Sequence, residues 1–309
     1  MFQEKVPLIR YSNYKIGGPA RYFFESDKTD DLIAAVQKAR RLKIPIFILG
    51  GGTNILFSDD GFNGLVLRPD IQLVKKERDF LRVGAGVSIT QLLNYLIAKN
   101  LSGLEWAGGL PGSLGGAVYG NAGCFGGEMK NNLKEVVSLD ISHPSPRIIK
   151  RTNSECDFGY RSSIFKKSKG REIILEATLF FERGDKKAIQ SVIEQKISYR
   201  KERQPLEHPN IGSIFKNVAL QGMPKNRQKQ FAAVIKTDPF PLIPAAHLIS
   251  EAGLRGVSRG GAMISAKHPN FIVNALNASA KDVRDLIALV KNKIKEKFSI
   301  NLEEEIIQV

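Results

Sequence analysis

Apolar and polar positions along this chain change period several times, and each change predicts an element. Leu32, Val36 and Ala39 recur on one helical face. Thr29 stands where an N-cap belongs, with Asp30 and Asp31 in the first turn and Lys38, Arg40, Arg41 and Lys43 at the end, an order of charge that suits the helix dipole. Strands are predicted over residues 45–49 and 65–67, and a polar, charged stretch over 69–78 reads as a boundary.

The middle of the chain is richer in strands. Residues 80–83, 136–141, 147–151 and 172–181 are β-branched and aromatic in character. Between the first two, Ser88 caps a helix carrying Leu92, Leu93, Leu96 and Ile97, with Asn100 just past its end. A helix over 185–203 presents Ile189, Val192, Ile193 and Ile197, and its basic end runs into Gln204 and Pro205, a second boundary. Beyond it come a helix over 245–252 stopped by Gly253 and a strand over 271–274. A long helix opened by the capping box Ser279/Asp282 follows, with a short final strand over 305–309. The order predicts an α+β protein in three pieces, 1–69, 70–203 and 204–309.

Composition narrows the class. The chain has 309 residues, enough for two or three cores, and no apolar run long enough to span a bilayer. The N-terminus lacks the apolar segment of a secretory signal. Cys124 and Cys156 make neither a disulfide framework nor a zinc site, so reduced thiols and a cytoplasmic address are expected. His143, His208, His247 and His268 show no metal-ligand spacing, and no metal is expected. The formal net charge of +15 favours phosphorylated small molecules or nucleic acid. Its basic groups are spread over 166–171, 196–203, 225–229 and 291–297 with few aromatics between them. Two of these groups fall on amphipathic helices as solvated faces, so a small-molecule partner and no nucleic acid are expected.

Two glycine segments carry the candidate chemistry. Gly50, Gly51 and Gly52 follow the strand at 45–49, and Thr53 and Asn54 follow them. Glycine lets backbone N–H groups converge on an anion, since no Cβ intervenes and positive φ is accessible. No Gly-Lys-Ser/Thr follows, and the G-x-G-x-x-G spacing is absent, which excludes a P-loop and a dinucleotide fingerprint. The second segment reads GGLPGSLGGAVYGNAGCFGG over 108–127. Pro111 stiffens its entry, and Gly112, Gly115 and Gly116 let the backbone lie flat against an extended cofactor. Ser113 and Asn121 offer polar contacts, and Gly109 and Ala122 are expected among the cofactor-binding residues. Leu110, Leu114, Val118, Tyr119 and Phe125 mark it as packed rather than a linker. Two ordered glycine segments suggest one long ligand.

YKIGGPA at 14–20, LGGGTN at 49–54 and GLPGSLGGAVYGNAG at 109–123 resemble the two-part FAD site of the vanillyl-alcohol-oxidase/para-cresol-methylhydroxylase type. Within it the chain, from near residue 10 to the end, resembles the UDP-N-acetylenolpyruvoylglucosamine reductase family. The resemblance implies a two-subdomain FAD-binding fold plus a C-terminal α+β substrate-binding domain. It also implies FAD and NADPH as cofactors, a sugar-nucleotide substrate, a monomer, and a role in peptidoglycan precursor synthesis. In DFGYRSSIFK, IGSIFKN and INLEEEI it carries the catalytic roles to Arg161, Ser213 and Glu305, and substrate contacts to Tyr160, Lys216 and Asn217. His268 and Asn270 also match a family segment, with core packing as their expected role.

The chemistry needs such groups. Hydride addition to an enol ether beside a carboxylate develops enolate charge, which a guanidinium and a second hydrogen-bond donor stabilise. A serine hydroxyl can then protonate the neighbouring carbon. Glu305 can donate only when protonated, which calls for a partly buried position.

Two departures stand out. Val218 replaces the proline that usually follows the G-S-x-F-K-N motif, and a basic insert over 219–241, expected as a surface excursion, precedes the next helix. Little room remains after Arg161 for the extra tyrosine loop of one family type, so the chain resembles the shorter type. Another FAD oxidoreductase, such as an alcohol oxidase, and a basic nucleic-acid-binding protein remain open alternatives here.

Overall fold

The computed structural model describes residues 1–221, 223 and 225–309. Its contacts form two compact units. The first comprises Met1–Val6, Pro19–Gly52 and Phe62–Tyr199, and the second Pro7–Gly18, Thr53–Gly61 and Arg200–Val309. Residues 7–18 and 53–61 join the second unit because Tyr14, Ile16 and Leu56 are buried in its core.

The first unit holds two main sheets. In one, Pro19–Ser26 and Ile46–Ile48 flank Phe62–Pro69, both parallel to it, and Gln3–Pro7 lies at one edge. The helix Thr29–Arg41 crosses over between parallel strands, burying Leu32, Ala35, Val36 and Ala39 among Leu65 and Leu67. Thr29 is the first helical residue rather than the cap, and Lys28, with no side-chain cap, precedes it.

The other sheet is antiparallel, in the order Arg147–Thr152, Leu133–Asp140, Glu172–Phe180, Phe80–Gly84 and Val74–Glu77. The polar stretch expected as a boundary thus carries an edge strand, whose charged side chains suit an exposed edge. The helix Ile89–Lys99 has its Ser88/Gln91 capping box, and Asn100 closes it in the left-handed region. Lys186–Arg203 buries Ile189 and Ile193, whereas Val192 is exposed, off the face assigned to it.

In the second unit, the antiparallel strands Ser258–Arg259, Ala262–Ile264 and Ile272–Asn274 pack with the helix Ala280–Phe298. Ser279 and Asp282 form the expected capping box, and the Asp59 carboxylate also accepts from Ala280 N and Lys281 N. Fully buried Tyr14 donates its hydroxyl to the Ile272 carbonyl at 2.7 Å. Burial pushes its phenol pKa far up, so it remains a donor.

The insert is more than the surface excursion expected of it. Val218–Ala219 pairs antiparallel with Leu242–Ile243 at its base, and Leu220 and Phe231 are buried in the core. Phe231 meets Phe298 with ring centroids 6.0 Å apart. Alternation of basic and polar residues hid two apolar anchors. Its residues 222 and 224 lie outside the described set.

His268 packs edge-on against Phe271, and its buried Nδ1 has no hydrogen-bond partner among the described residues. Burial, with Lys236 and Arg255 adding to it, depresses its pKa from 6.5 to about 4. The unfolded chain binds a proton through that window that the folded chain does not, so stability falls as pH drops from 6.5 towards 4. Urea unfolding at the two limits should show this loss in the wild type and a smaller one in His268→Leu, the difference reaching about 3 kcal/mol at most. Equal losses in both proteins would refute the assignment.

Candidate active site

Within the first unit the strand Ile46–Ile48 delivers the chain to the first glycine segment, and Leu49 N is bonded to Leu67 O. A Cβ on Gly51 would lie 2.7 Å from Gly112 Cα and 2.9 Å from Ser113 N, and one on Gly50 would lie 3.1 Å from Ser113 Oγ. The two glycine segments therefore meet backbone to backbone. The N–H groups of Gly50, Gly51 and Gly52 donate to no acceptor among the described residues, and Gly52 has φ of 66°. Unspent donors at a glycine turn with exposed Gly51 fit an anionic pyrophosphate.

The second segment, read from sequence as a loop, contains the short helix Leu114–Tyr119. Ser113 is its N-cap, with Oγ accepting from Gly116 N at 3.4 Å. Gly115 lets the helix lie against Ala85, since a Cβ there would meet the Ala85 Cβ at 2.9 Å. Gly116, Gly109 and Pro111 are exposed, Gly112 and Ala122 half-buried. A Cβ on Gly116 would have only Ser113 Oγ within 4 Å, which leaves this backbone surface open for a flat ligand.

Asn121, expected to offer a polar contact, is wholly buried, and its amide is bonded within the protein. Nδ2 donates to the Gly159 carbonyl at 3.0 Å and Glu128 Oε2 at 3.2 Å, and Oδ1 accepts from Lys130 N at 3.1 Å.

Tyr160 and Arg161 form the tip of a tight turn closed by Gly159 N to Ser162 O at 3.0 Å and Ser162 N to Gly159 O at 3.1 Å. Arg161 has φ of 53°. Its Nη2 donates to the Gly123 carbonyl at 2.7 Å, and its guanidinium carbon lies 5.2 Å from the Tyr160 ring centroid.

The second unit brings Ser213 and Glu305 together through the backbone. Phe215 and Glu304 form an antiparallel bridge, with Glu305 N bonded to Ile214 O at 2.8 Å and Lys216 N to Glu303 O at 2.9 Å. Across the segment from this tail, buried Asn270 spans Phe215, accepting from its N at 3.0 Å and donating to its O at 2.8 Å. Asn270 thus holds the Ser213 segment, beyond the core packing expected of it. Ser213 is half-buried, and its hydroxyl bonds to no other described residue. Of the acidic cluster, Glu303 pairs with Lys216 and Glu304 with Lys291, while Glu305 is half-buried. Asn54 Nδ2 donates to the Glu305 carbonyl at 3.1 Å, and Thr53 is half-buried beside it. Asn217 Oδ1 accepts from Ala245 N at 3.1 Å, at the start of the helix Ala245–Glu251.

Residues 20–142 match the family described as FAD binding domain, and residues 204–309 match the UDP-N-acetylenolpyruvoylglucosamine reductase C-terminal domain. Over 306 residues the chain is 37% identical to UDP-N-acetylenolpyruvoylglucosamine reductase of Lachnoclostridium phytofermentans, covering 97% of this chain and 90% of the relative. The chain belongs to the UDP-N-acetylenolpyruvoylglucosamine reductase family. The reductase of Fervidobacterium nodosum is 39% identical over 302 residues, covering 97% of this chain and 89% of that one. The crystal structure of the Thermus caldophilus reductase superposes with a TM-score of 0.75 at 30% identity, covering 100% of this chain and 99% of that one.

Membership in this reductase family makes the chain an FAD-containing oxidoreductase with the α+β, two-part flavin fold and a C-terminal domain. Both glycine segments fall inside the matched FAD domain, and Ser213 and Glu305 inside the matched C-terminal domain, while Arg161 lies between the two matches. Among the described residues, no helix is long and apolar enough to cross a membrane, and no group of three His, Cys, Asp or Glu side chains could hold a metal.

Gly51→Ala forces a methyl group into the Gly112 backbone. The purified variant should carry less than a tenth of the wild-type flavin per protein, read from the ratio of visible to ultraviolet absorbance. Full flavin content would show that the close approach is dispensable.

Proposed function

We infer that this chain reduces UDP-N-acetylglucosamine enolpyruvate to UDP-N-acetylmuramate with NADPH as reductant, in peptidoglycan precursor synthesis. The observation that carries the reading is identity to curated reductases along 97% of the chain, joined to two glycine segments built for a flavin. Residues 1–69 and 70–203 serve as the two FAD-binding subdomains, and 204–309 as the substrate-binding domain. The protein works as a cytoplasmic monomer with a small-molecule substrate and no nucleic-acid partner.

FAD, when bound, supplies the hydride chemistry between NADPH and substrate. Gly50, Gly51 and Gly52 offer its pyrophosphate their unspent N–H groups, and Thr53, Asn54 and the open backbone around Gly109, Pro111, Gly112 and Gly116 complete the contacts. Ser113, Gly115 and Ala122 shape that surface.

Hydride addition at C3 of the enolpyruvyl group moves charge onto its carboxylate. Arg161 stabilises that charge, with Glu305 as the second polar group beside the carboxylate. The hydroxyl proton of Ser213 goes to C2, completing the saturated ether, and the serine regains a proton from solvent. A hydroxyl with no hydrogen bond to another described residue suits this task, because no such bond must break first. Lys216 pairs with Glu303, whose side chain is 73% exposed, and can exchange that partner for a substrate phosphate. Tyr160 and Asn217 supply the remaining substrate contacts.

Stopped-flow flavin absorbance separates the half-reactions. Ser213→Ala should be reduced by NADPH at nearly the wild-type rate, whereas its reoxidation by the enolpyruvyl sugar nucleotide should slow by about a thousandfold. Reoxidation at the wild-type rate would remove Ser213 as the acid.

A further inference from the structure

We propose that Asn121 is a positioning residue for Arg161, through hydrogen bonds that fix the turn on which the guanidinium is carried. The proposal rests on the reading of Arg161 as a catalytic residue. Its geometric basis is a closed circuit of bonds within the first unit. Asn121 Nδ2 holds the carbonyl of Gly159, the residue that opens the turn. At the tip, Arg161 Nη2 donates to the carbonyl of Gly123, two residues beyond Asn121. Gly123 pairs in turn with Glu128 in a small antiparallel ladder, and Glu128 accepts from the same Asn121 amide. Lys130 braces this corner, its backbone N–H donating to Asn121 Oδ1 and its ammonium lying 2.9 Å from Glu128 Oε2.

The residue type follows from this circuit. A buried side chain must donate to a carbonyl and a carboxylate while accepting from an N–H. Asparagine does all three at this length. Aspartate has the same shape but cannot donate when ionised, and it would face both the Glu128 carboxylate and the Gly159 carbonyl. The bracing also opposes strain, since the left-handed backbone of Arg161 is disfavoured for a residue with a Cβ. Asn121 follows Gly120, the C-cap of the glycine helix Leu114–Tyr119, and the Tyr119 carbonyl accepts from Ser163 Oγ at 2.6 Å just beyond the same turn. The segment that presents backbone to the cofactor therefore also sets the arginine.

The test uses FAD-loaded wild type, Asn121→Asp, Asn121→Ala, Arg161→Ala and the Arg161→Ala/Asn121→Ala double variant, in stopped flow with NADPH and then with the enolpyruvyl sugar nucleotide. Reduction by NADPH should stay within about twofold of wild type in every variant. Reoxidation should slow at least tenfold in both Asn121 variants, and Asn121→Ala should add little once Arg161 is absent. The isosteric Asn121→Asp keeps the test open where Asn121→Ala folds poorly. Equal slowing of both half-reactions, or additive losses in the double variant, would overturn the positioning role. Slow reoxidation in Arg161→Ala with normal reoxidation in Asn121→Asp would overturn it while leaving Arg161 in place. Normal reoxidation in Arg161→Ala would overturn the arginine reading, and the positioning role with it.

Discussion

The approach of Gly51 to Gly112 and Ser113 is the constraint on which the flavin region depends. At 2.7 Å from the Gly112 Cα, a Cβ on Gly51 has no place, so the first segment must be glycine for reasons internal to the protein. That contact fixes where the helix Leu114–Tyr119 begins, because Ser113 is both the surface that Gly51 meets and the helix cap. The helix start then determines where Asn121 falls, and Asn121 reaches Gly159 and the arginine turn. The open backbone of the second glycine segment and the Arg161 turn thus both trace to one backbone approach, with the N–H groups of Gly50, Gly51 and Gly52 left without an acceptor among the described residues.

The second unit solves a different problem, presenting on a rigid backbone a hydroxyl with no partner among the described residues. Ser213 follows Gly212 in the left-handed region and precedes a segment bonded on both sides, to residues 303–305 of the tail and to Asn270. Among the described residues, the backbone bonds that fix this segment lie at Gly212, Ile214, Phe215 and Lys216, next to the serine and not on it. The Ser213 hydroxyl keeps its hydrogen-bonding capacity while its position is set by its neighbours. Glu305 gains its place from the same ladder, since its N–H is bonded to Ile214 O.

Local signals were legible where one residue type does one job. The caps Ser88 and Ser279, and the strand pattern of the antiparallel sheet, could be read directly because each rests on neighbouring residues. Features set by distant contacts could not. The helix in the second glycine segment runs against glycine's low helix propensity, and the Gly115 contact with Ala85 accounts for it. Residues 7–18 and 53–61 look like ordinary connections until Tyr14 and Leu56 are seen buried in the second core. Asn121 read as a cofactor contact because a polar residue among glycines suggests a ligand. Its total burial is a tertiary fact with no local signature.

Backbone strain is a weaker guide to function than it first looks in this chain. Arg161 adopts positive φ, but so do Lys15, Lys43 and Arg78, and Asn100 and Ser299 do so at helix ends. What separates Arg161 is where its side chain goes. Its guanidinium bonds a carbonyl in the second glycine segment, and its turn is held by a buried amide from that same segment. A strained arginine whose only role was to close a turn could be replaced by glycine or asparagine at lower cost. Keeping arginine at this position and restraining it at both ends makes sense when the direction of the guanidinium matters, which is the requirement of a group that must meet charge as it develops on a substrate carboxylate.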